Sequence, residues 1–317
     1  MPGFFIVYMS FSITILGCNS ALPTEKRFPT AQALNLNERI FLIDCGEGTQ
    51  IQLRRFKIRF GKINHVFISH LHGDHYFGLL GLISSFSLLG RKNDLHIYSH
   101  PQLEIILNCQ LKYYGDELGF SIVFHYYNAV KSELIYEDKW MTVETIPLRH
   151  RIPTAGFLFR EKVKDRNIRK EMIDYYQIPV SDIVRIKKGA DFETGGKIIQ
   201  NDVLTIPPLR PCSYAFCTDT AYSEDITSQI KDVDLLYHEA TFGNDLEDQA
   251  KLTLHSTAKQ AAIIACKSKV KKLIIGHFSE RYKDISVLLA EARAVFTETS
   301  AAEDGDVFYI NSAIPEK

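Results

Sequence analysis

The segment HVFISHLHGDHYFGLLGL, residues 65–82, constrains the fold more than any other part of the chain. Its first part belongs to the apolar run INHVFISH, which predicts a buried strand, and its second part predicts an apolar helix that ends at Gly90. Ligand-type side chains stand between the two elements: His70, His72, Asp74 and His75. A strand that leads through such a cluster into a helix is typical of an α/β fold with a chemical site at its strand ends.

The spacing of these four side chains predicts two adjacent metal ions. Residues i and i+2 of an extended segment point to the same side, so His70 and His72 can reach one cation. Gly73 is expected to let the chain turn sharply and to direct Asp74 and His75 towards a second cation. Imidazole and carboxylate donors suit zinc best, and manganese or iron also fits them.

Three more candidate ligands each follow a predicted strand: His150, Asp219 and His277. Asp219 is the expected bridge between the two ions, because a carboxylate has two oxygen atoms and can bind both. A two-metal site activates water and neutralises charge on the attacked group, which serves amide, thioester and phosphodiester hydrolysis alike. The ligands alone therefore predict a hydrolase and leave its substrate open.

The order of the predicted elements indicates the architecture. Strands and helices recur roughly in two halves of the 317-residue chain, residues 1–160 and 202–317, which indicates an αββα sandwich with helices outside two sheets. Residues 161–201 are predicted to form a protruding, basic insertion. The net charge is −1, so any anionic partner must meet a local basic patch. Six scattered cysteines without a C-x-x-C pair indicate reduced thiols in a cytoplasmic protein.

The N-terminal stretch MPGFFIVYMSFSITILGCNS allows two interpretations. Its apolar run ends in Leu-Gly-Cys, the pattern of a lipoprotein signal, but no Lys or Arg precedes the run. The stretch is too short and too broken by Ser, Thr and Gly to span a bilayer, so no membrane contact is expected. Alternation and β-branching in FSITILG favour a first strand, and Met9 is an alternative start of the protein.

Seven segments of the chain resemble one branch of the metallo-β-lactamase superfamily, the ribonuclease Z family, which trims the 3′ ends of transfer RNA. They are FLIDCGEGTQIQLRR, HLHGDHYFGLLGL, PLRHRIPTAGF, FCTDT, HEATF, HSTAKQAA and IGHFSERY. The resemblance runs over nearly the whole chain, and the last three segments are specific as a set. It implies a metallo-β-lactamase fold with a flexible arm, two zinc ions per subunit, a cytoplasmic homodimer without another protein partner, and precursor tRNA as the substrate.

The resemblance also implies a role for each site residue. The implied metal ligands are His70, His72, Asp74, His75, His150, Asp219 and His277. Asp74 additionally orients or deprotonates the attacking water. His255, held by Glu239, protonates the leaving 3′ oxygen of the tRNA. The implied products are a tRNA with a 3′-hydroxyl and a trailer with a 5′-phosphate.

The implied contacts with RNA lie in three places. Ser256 and Thr257 begin a predicted helix whose N–H groups face phosphate. Lys187 and Lys188 belong to the basic insertion, which corresponds to a family arm that holds the tRNA elbow through its backbone. Arg281 stands in the segment IGHFSERY.

The chain departs from the family pattern at two points, and its residues are also compatible with two other functions. The arm lacks a glycine-proline-rich turn, and Arg27–Phe28 stands where Arg-Asn is common. The same two-metal chemistry fits a phosphodiesterase acting on small or cyclic phosphodiesters, which has no need of a basic insertion. A non-catalytic RNA-binding protein stabilised by metal is disfavoured, because it has no need of all seven candidate ligands.

Overall fold

Two seven-stranded sheets form the centre of the structure, a computed structural model that describes residues 11–113 and 118–310. The first sheet contains β1 (Phe11–Gly17), β2 (Ala31–Leu36), β3 (Arg39–Ile43), β4 (Ile63–Phe67), β5 (Leu95–Ser99), β6 (Ile122–Tyr126) and β18 (Val307–Tyr309). The second contains β7 (Leu134–Glu137), β8 (Met141–Leu148), β9 (Thr154–Glu161), β14 (Ser213–Cys217), β15 (Leu235–Glu239), β16 (Lys272–Gly276) and β17 (Thr299–Ala301).

The order of strands places four parallel strands in each sheet. The first sheet runs β18-β1-β2-β3-β4-β5-β6, and the second runs β17-β16-β15-β14-β9-β8-β7. Strands β3 to β6 are parallel to one another, and so are β14 to β17. The C-terminal ends of parallel strands lie at one edge of a sheet, so side chains that follow these strands are brought near one another.

Aromatic side chains fill much of the space between the sheets. Phe67 at the end of β4 lies 5.5 Å, ring centre to ring centre, from both Phe157 and Phe159 of β9. All three rings are buried, in one cluster that also contains Phe41 and Phe216. Burial of rings from both sheets holds the sheets face to face, at roughly 1.5–3 kcal/mol for each large apolar side chain.

Four helices follow strands of the first sheet: α1 (Thr49–Arg55), α2 (Gly73–Tyr76), α3 (Gly78–Leu88) and α4 (Gln102–Leu111). Helix α3 buries Leu79, Leu82, Ile83 and Phe86, which is the i, i+3, i+4, i+7 spacing of one helix face. These side chains share a cluster with Val66 of β4, whose side chain points away from the second sheet. The helices therefore cover the outer face of the first sheet.

The insertion between β9 and β14 has secondary structure and a small core of its own. It contains β10 (Asn167–Ile168), α5 (Lys170–Tyr175), α6 (Val180–Lys187), β11 (Phe192–Thr194), β12 (Lys197–Ile199), α7 (Asn201–Leu204) and β13 (Thr205–Ile206). Its strands form two separate two-stranded sheets. Ile178, Ile186, Phe192 and Leu204 are buried together. The composition alone did not predict this local core.

Three helices follow strands of the second sheet: α8 (Glu247–Thr253), α9 (Ala258–Lys267) and α10 (Ser286–Arg293). Short 3-10 helices span Phe60–Lys62, Glu224–Ile226 and Asn244–Leu246. Helix α9 packs on β15 and β16 through alanines such as Ala261 and Ala262, whose small side chains let the helix approach the sheet closely. The predicted αββα sandwich is confirmed.

The structure corrects several sequence-based expectations. Strands β2, β7 and β17 were not predicted. Gln32 and Asn35 interrupt the apolar pattern of β2, but Gln32 is buried and accepts a hydrogen bond from Tyr214 across the core. Gly73 begins α2 without a positive φ. Its lack of a side chain serves close packing, because a Cβ there would lie 2.2 Å from the Phe77 ring.

The segment FSITILG forms β1, as the strand interpretation predicts. Strand β1 pairs with β2 and β18, and Cys18 directly after it is fully buried. The alternative start at Met9 lies outside the described residues. Among the helices of residues 11–113 and 118–310, none is long and apolar enough to cross a bilayer.

Gly78 is expected to tolerate no side chain. A Cβ at this position would lie 2.0 Å from the carbonyl oxygen of Gly46, so Gly78→Ala has to displace backbone. We expect it to lower the free energy of unfolding by about 1–3 kcal/mol, measured by urea denaturation. Gly61→Ala is the matched control, because its Cβ would meet nothing within 4 Å. An equal loss in both variants would contradict this packing explanation.

Candidate metal centre

The first group of candidate ligands contains His70, His72, His150 and Asp219, whose ligand atoms lie within 4.8 Å of one another. His72 Nδ1 lies 3.0 Å from His70 Nε2 and 3.2 Å from His150 Nε2. Asp219 Oδ2 lies 3.6 Å from the Nε2 atoms of both His70 and His150. Three imidazoles and one carboxylate oxygen therefore converge on one place, a donor set that suits a divalent cation.

The second group contains Asp74, His75 and His277. Asp74 Oδ2 lies 3.4 Å from His75 Nε2 and 3.5 Å from His277 Nε2. The other oxygen of Asp219, Oδ1, lies 3.2 Å from His75 Nε2 and 3.1 Å from His277 Nε2. The side chains that the sequence assigned to two ions are thus brought together in two neighbouring groups.

Asp219 lies between the two groups and is almost completely buried. Its Oδ2 faces the first group, and its Oδ1 faces the second. Burial alone would raise the pKa of this carboxyl group, but His277, His75 and His70 lower it well below its usual range. An ionised carboxylate in this position has the geometry that the predicted bridge requires.

The second group also contains buried polar atoms that a cation would satisfy. Within the described residues, the buried Nε2 atoms of His75 and His277 have no hydrogen-bond partner, although carboxylate oxygens lie close to them. A buried nitrogen without a partner is unfavourable. Coordination of a metal ion by these nitrogens removes that cost, so the residues present fit a site for two divalent ions.

Asp44, at the end of β3, orients His75. Its Oδ2 lies 2.7 Å from His75 Nδ1, and the carboxylate accepts hydrogen bonds from the N–H (2.7 Å) and hydroxyl (2.9 Å) of Ser69. A carboxylate behind a ligating imidazole fixes the ring and leaves its other nitrogen free for metal. The sequence alone did not identify Asp44 as a site residue, although it follows a predicted strand as other candidate ligands do.

Other candidate ligands are held in the same way. Thr241 Oγ1 lies 3.0 Å from His277 Nδ1, and the Leu254 carbonyl oxygen lies 3.0 Å from His150 Nδ1. In both cases the protein contacts the nitrogen that faces away from the first or second group. These partners come from loops far away in sequence, so no local motif pointed to them.

Three polar residues at strand ends adopt left-handed backbone conformations. Asp44 has a φ of 54°, Asp219 of 32° and His277 of 59°. A non-glycine residue in this region costs on the order of 1–3 kcal/mol and tends to occur at functional sites. The turn directs each side chain from the end of its strand into the space between the two sheets.

His255 and Glu239 form a hydrogen-bonded pair beside the second group. His255 Nδ1 lies 2.8 Å from Glu239 Oε1, and the buried carboxylate also accepts from the backbone N–H of Thr220 at 2.9 Å and of Thr241 at 3.0 Å. Burial alone would lower the pKa of His255, but the Glu239 carboxylate raises it to about 9. The Glu239 carboxylate therefore favours the protonated form of the imidazole, which is the form that donates a proton.

The residues assigned to RNA contacts lie in different environments. Ser256 and Thr257 are fully buried: the Ser256 hydroxyl donates to the Thr220 carbonyl oxygen at 2.7 Å, and Thr257 caps α9. Their hydroxyls face inward, which leaves only backbone groups at this helix start for a contact with phosphate. Lys188 and Arg281 are exposed, and Lys187 is half-buried. For these three residues the contact with RNA stays a prediction.

Sequence relatives cover nearly the whole chain. A protein of Phocaeicola vulgatus named ribonuclease Z is 52% identical over 306 residues, which are 96% of this chain and 99% of the relative. A ribonuclease Z of Bacteroides thetaiotaomicron is 52% identical over 303 residues, which are 95% of this chain and 96% of the relative. A family model described as anti-Pycsar protein Apyc1 matches residues 11–177.

Solved structures share the fold. The short form of human tRNase Z has a TM-score of 0.70 and 27% identity, over 95% of this chain and 99% of that chain. The metallo-β-lactamase fold protein YhfI from Bacillus subtilis has a TM-score of 0.66 and 17% identity, also over 95% and 99%. At that identity the second likeness concerns the fold alone. The two-sheet sandwich described above is therefore a metallo-β-lactamase fold.

Asp44→Asn is expected to weaken metal binding by the second group. The asparagine side chain has one oxygen, so it cannot accept hydrogen bonds from both Ser69 and His75 as the two carboxylate oxygens do. The His75 imidazole therefore loses its orientation. We expect about a 10–100-fold loss of affinity for one divalent ion, measured by competition with a chromogenic chelator. Asp248→Asn removes an exposed carboxylate on α8 and serves as the control. Equal affinities in all three proteins would exclude this role for Asp44.

Proposed function

The chain belongs to the ribonuclease Z family, and on this basis we propose that it is an endoribonuclease that removes the 3′ trailer from precursor tRNA. Cleavage leaves a 3′-hydroxyl on the tRNA and a 5′-phosphate on the trailer. The observation that carries this proposal is the His255–Glu239 pair, which lies directly beside the two groups of candidate metal ligands. A phosphodiesterase for small or cyclic esters is not favoured, because the ribonuclease Z relatives match nearly the whole chain at 52% identity.

We propose that the centre holds two zinc ions per subunit, although manganese or iron fits the same donors. His70, His72 and His150 would hold one ion, and Asp74, His75 and His277 would hold the other. Asp219, which lies between the two groups, would serve both. When bound, the ions supply positive charge that stabilises the attacked phosphate group and lowers the pKa of water.

Asp74 is the residue that orients the attacking water. Burial would raise its pKa, but His75 and His277 lower it well below the usual range of an aspartate, so the carboxylate is ionised. An ionised carboxylate accepts a hydrogen bond from water and orients it for attack. The water then attacks phosphorus in line with the bond to the tRNA 3′ oxygen.

His255 is the proton donor to that 3′ oxygen. Because an alkoxide is a poor leaving group, its departure requires a proton as the phosphorus–oxygen bond breaks. Glu239 holds the imidazole through Nδ1 at 2.8 Å, which leaves Nε2 as the nitrogen that donates. The proton thus passes from His255 Nε2 to the new 3′-hydroxyl, which leaves a neutral imidazole that Glu239 holds in place through Nδ1.

The insertion, residues 161–201, is proposed as the arm that binds the tRNA body. It stands apart from the two sheets and has its own small core. Within the described residues, Arg166 and Arg185 pair with nearby aspartates, whereas Lys187 and Lys188 form no ion pair. Unpaired lysines at the end of α6, together with Arg281, are available to phosphates. Residues 1–160 and 202–317 form the catalytic body.

We further propose a homodimer in the cytoplasm, where precursor tRNA is processed. One groove between α1 and α3 is lined by Ile51, Leu88 and Leu89, whose relative solvent exposures are 57%, 86% and 66%. An exposed apolar groove of this kind is a common site of subunit contact.

Sedimentation velocity of the wild type and of Leu88→Asp tests the proposed homodimer. The wild type is expected to sediment as a dimer and the variant as a monomer. A monomer in both would refute the proposal.

The central test is cleavage of one defined precursor tRNA with a 3′ extension. Purified protein with zinc is expected to cut once near the discriminator nucleotide and to leave the product ends stated above. Protein stripped of metal by a chelator is expected to regain activity when metal is added back. Absence of a cut at this position would refute the proposed function.

The Glu239–His255 pair predicts a defined pH dependence. His255 acts in its protonated form, so kcat/KM falls as the pH rises through its pKa. Glu239→Gln removes the charge that raises this pKa, so the alkaline limb of the profile is expected to move to lower pH. In His255→Ala the alkaline limb due to this group disappears, and kcat falls by about 10²–10⁴-fold.

A diester with a nitrophenolate leaving group provides the control for this prediction. Nitrophenolate departs without a proton, so both variants are expected to keep most of their activity towards it. Equal losses on precursor tRNA and on the nitrophenyl diester would contradict a proton-donor role.

The arm lysines are expected to affect RNA binding and not chemistry. Lys187→Ala combined with Lys188→Ala removes two phosphate contacts and is expected to raise KM for precursor tRNA with little change in kcat. A plot of log kcat/KM against log salt concentration has a negative slope, and we expect it to become less steep by about 1–2. Lys272→Ala is the control. Lys272 begins β16, whereas the candidate ligand His277 follows the other end of that strand. Unchanged KM and salt slope in the double variant would exclude these contacts.

A further inference from the structure

The segment Ser20–Phe28, here called the rim loop, begins beside the candidate metal centre. At its start, the Ser20 N–H donates to the Phe278 carbonyl oxygen at 3.0 Å, and the Phe278 N–H donates to the Cys18 carbonyl oxygen at 3.1 Å. Phe278 directly follows the candidate ligand His277. Residues 21–26 between the two ends are exposed.

The chain after the rim loop contacts the segment that carries the other ligands. The Gly46 N–H donates to the Thr30 carbonyl oxygen at 3.1 Å, and the Cys45 N–H donates to the His75 carbonyl oxygen at 2.8 Å. A Cβ on Gly46 would lie 2.5 Å from the Asp74 carbonyl oxygen, so the backbones are in close contact. The rim loop therefore lies close to the segments that carry the candidate ligands, and its exposed residues 21–26 face solvent there.

Residues near the C-terminal end of the described chain fasten this loop. The Asp304 carboxylate accepts from the Phe28 N–H at 2.8 Å, from the Gln52 side-chain amide at 3.0 Å and from the Cys18 thiol at 3.3 Å. Its neighbour Glu303 pairs with Arg27 at 3.0 Å. Arg27 and Phe28 lie 276 residues before Glu303 and Asp304, so no local sequence pattern predicts these contacts.

A second contact links the fastened loop to the ligand segment. The Arg27 guanidinium lies over the Phe278 ring at 5.7 Å from its centre. Arg27 thus connects Glu303 on one side with the residue next to His277 on the other. The exposed Lys26 directly precedes Arg27, so its ammonium group faces solvent beside these contacts.

We propose that Asp304 is a positioning residue for the RNA substrate: it holds the rim loop in the conformation in which Lys26 and the loop backbone meet phosphates next to the cleaved bond. This inference rests on the proposed function. A loop that is ordered before binding loses less conformational entropy when RNA binds, so its fastening strengthens binding. Burial raises the pKa of Asp304 to about 6, so the carboxylate is ionised and is a strong acceptor at neutral pH.

The test compares Asp304→Ala with Asp304→Asn in the full-length, metal-loaded protein. The alanine variant is expected to raise KM for precursor tRNA about tenfold, as loss of these hydrogen bonds predicts, with kcat changed less than about twofold. The asparagine variant keeps an oxygen for the Phe28 N–H and is expected to restore most of the affinity. Glu298→Ala, an exposed carboxylate before β17, is the control.

Two further readouts separate positioning of the loop from support of the metal centre. Hydrogen exchange at the Phe28 amide is expected to be faster in Asp304→Ala, with exchange in β4 unchanged. Zinc affinity and turnover of a nitrophenyl diester are expected to match the wild type. Equal losses on both substrates, or weaker zinc binding, would overturn the proposal, because Asp304 would then support His277 and not the RNA.

The remaining outcomes are also decisive. If the alanine variant cleaves precursor tRNA with the wild-type KM, the proposal is wrong although the proposed function stands. If the wild type does not cut precursor tRNA, the proposed function itself fails, and this inference fails with it. Should Asp304→Ala not fold, Glu303→Gln, which loosens Arg27 from the exposed side, is expected to raise KM about two- to threefold.

Discussion

The centre of this protein depends on one buried carboxylate, Asp219, shared between two groups of histidines. It follows β14 in the middle of the second sheet, whereas His70, His72 and His75 follow β4 in the first sheet. Its two oxygens can face two groups only if the sheets are held in one fixed relation. The aromatic core around Phe67 provides this relation, because interlocked rings leave few alternative packings.

The same requirement explains where the fold is strained. Asp44, Asp219 and His277 leave their strands in left-handed conformations that most residues avoid. Hydrogen bonds to Ser69, Thr241 and other neighbours keep the side chains in place. In the second group, the Nε2 atoms of His75 and His277 lie beside two carboxylate oxygens, Asp74 Oδ2 and Asp219 Oδ1, an arrangement that a cation would satisfy. Metal binding and stability of this region are therefore expected to be linked.

The two-sheet body carries the residues proposed for catalysis, and the insertion carries residues proposed for RNA binding. The ligands, His255 and Glu239 all belong to the two-sheet body, where burial and fixed neighbours set their pKa values. The insertion packs around its own small core, so its basic surface can change without disturbing the metal centre. The rim loop is an intermediate case, since its backbone touches the ligand segments and its tip is exposed.

The sequence by itself determined the sandwich architecture and the set of residues that meet in the candidate site. Apolar runs that end in His or Asp predict strand ends that carry ligands, and the chemistry of those side chains indicates metal. Only the tertiary structure decided which oxygen of Asp219 faces which histidines, that Glu239 contacts His255, that Asp44 supports His75, and that Ser256 and Thr257 are buried. These contacts join residues up to 149 positions apart, as in His70 and Asp219. Local patterns specify strands, helices and turns, whereas distances between strand ends depend on how the two sheets pack.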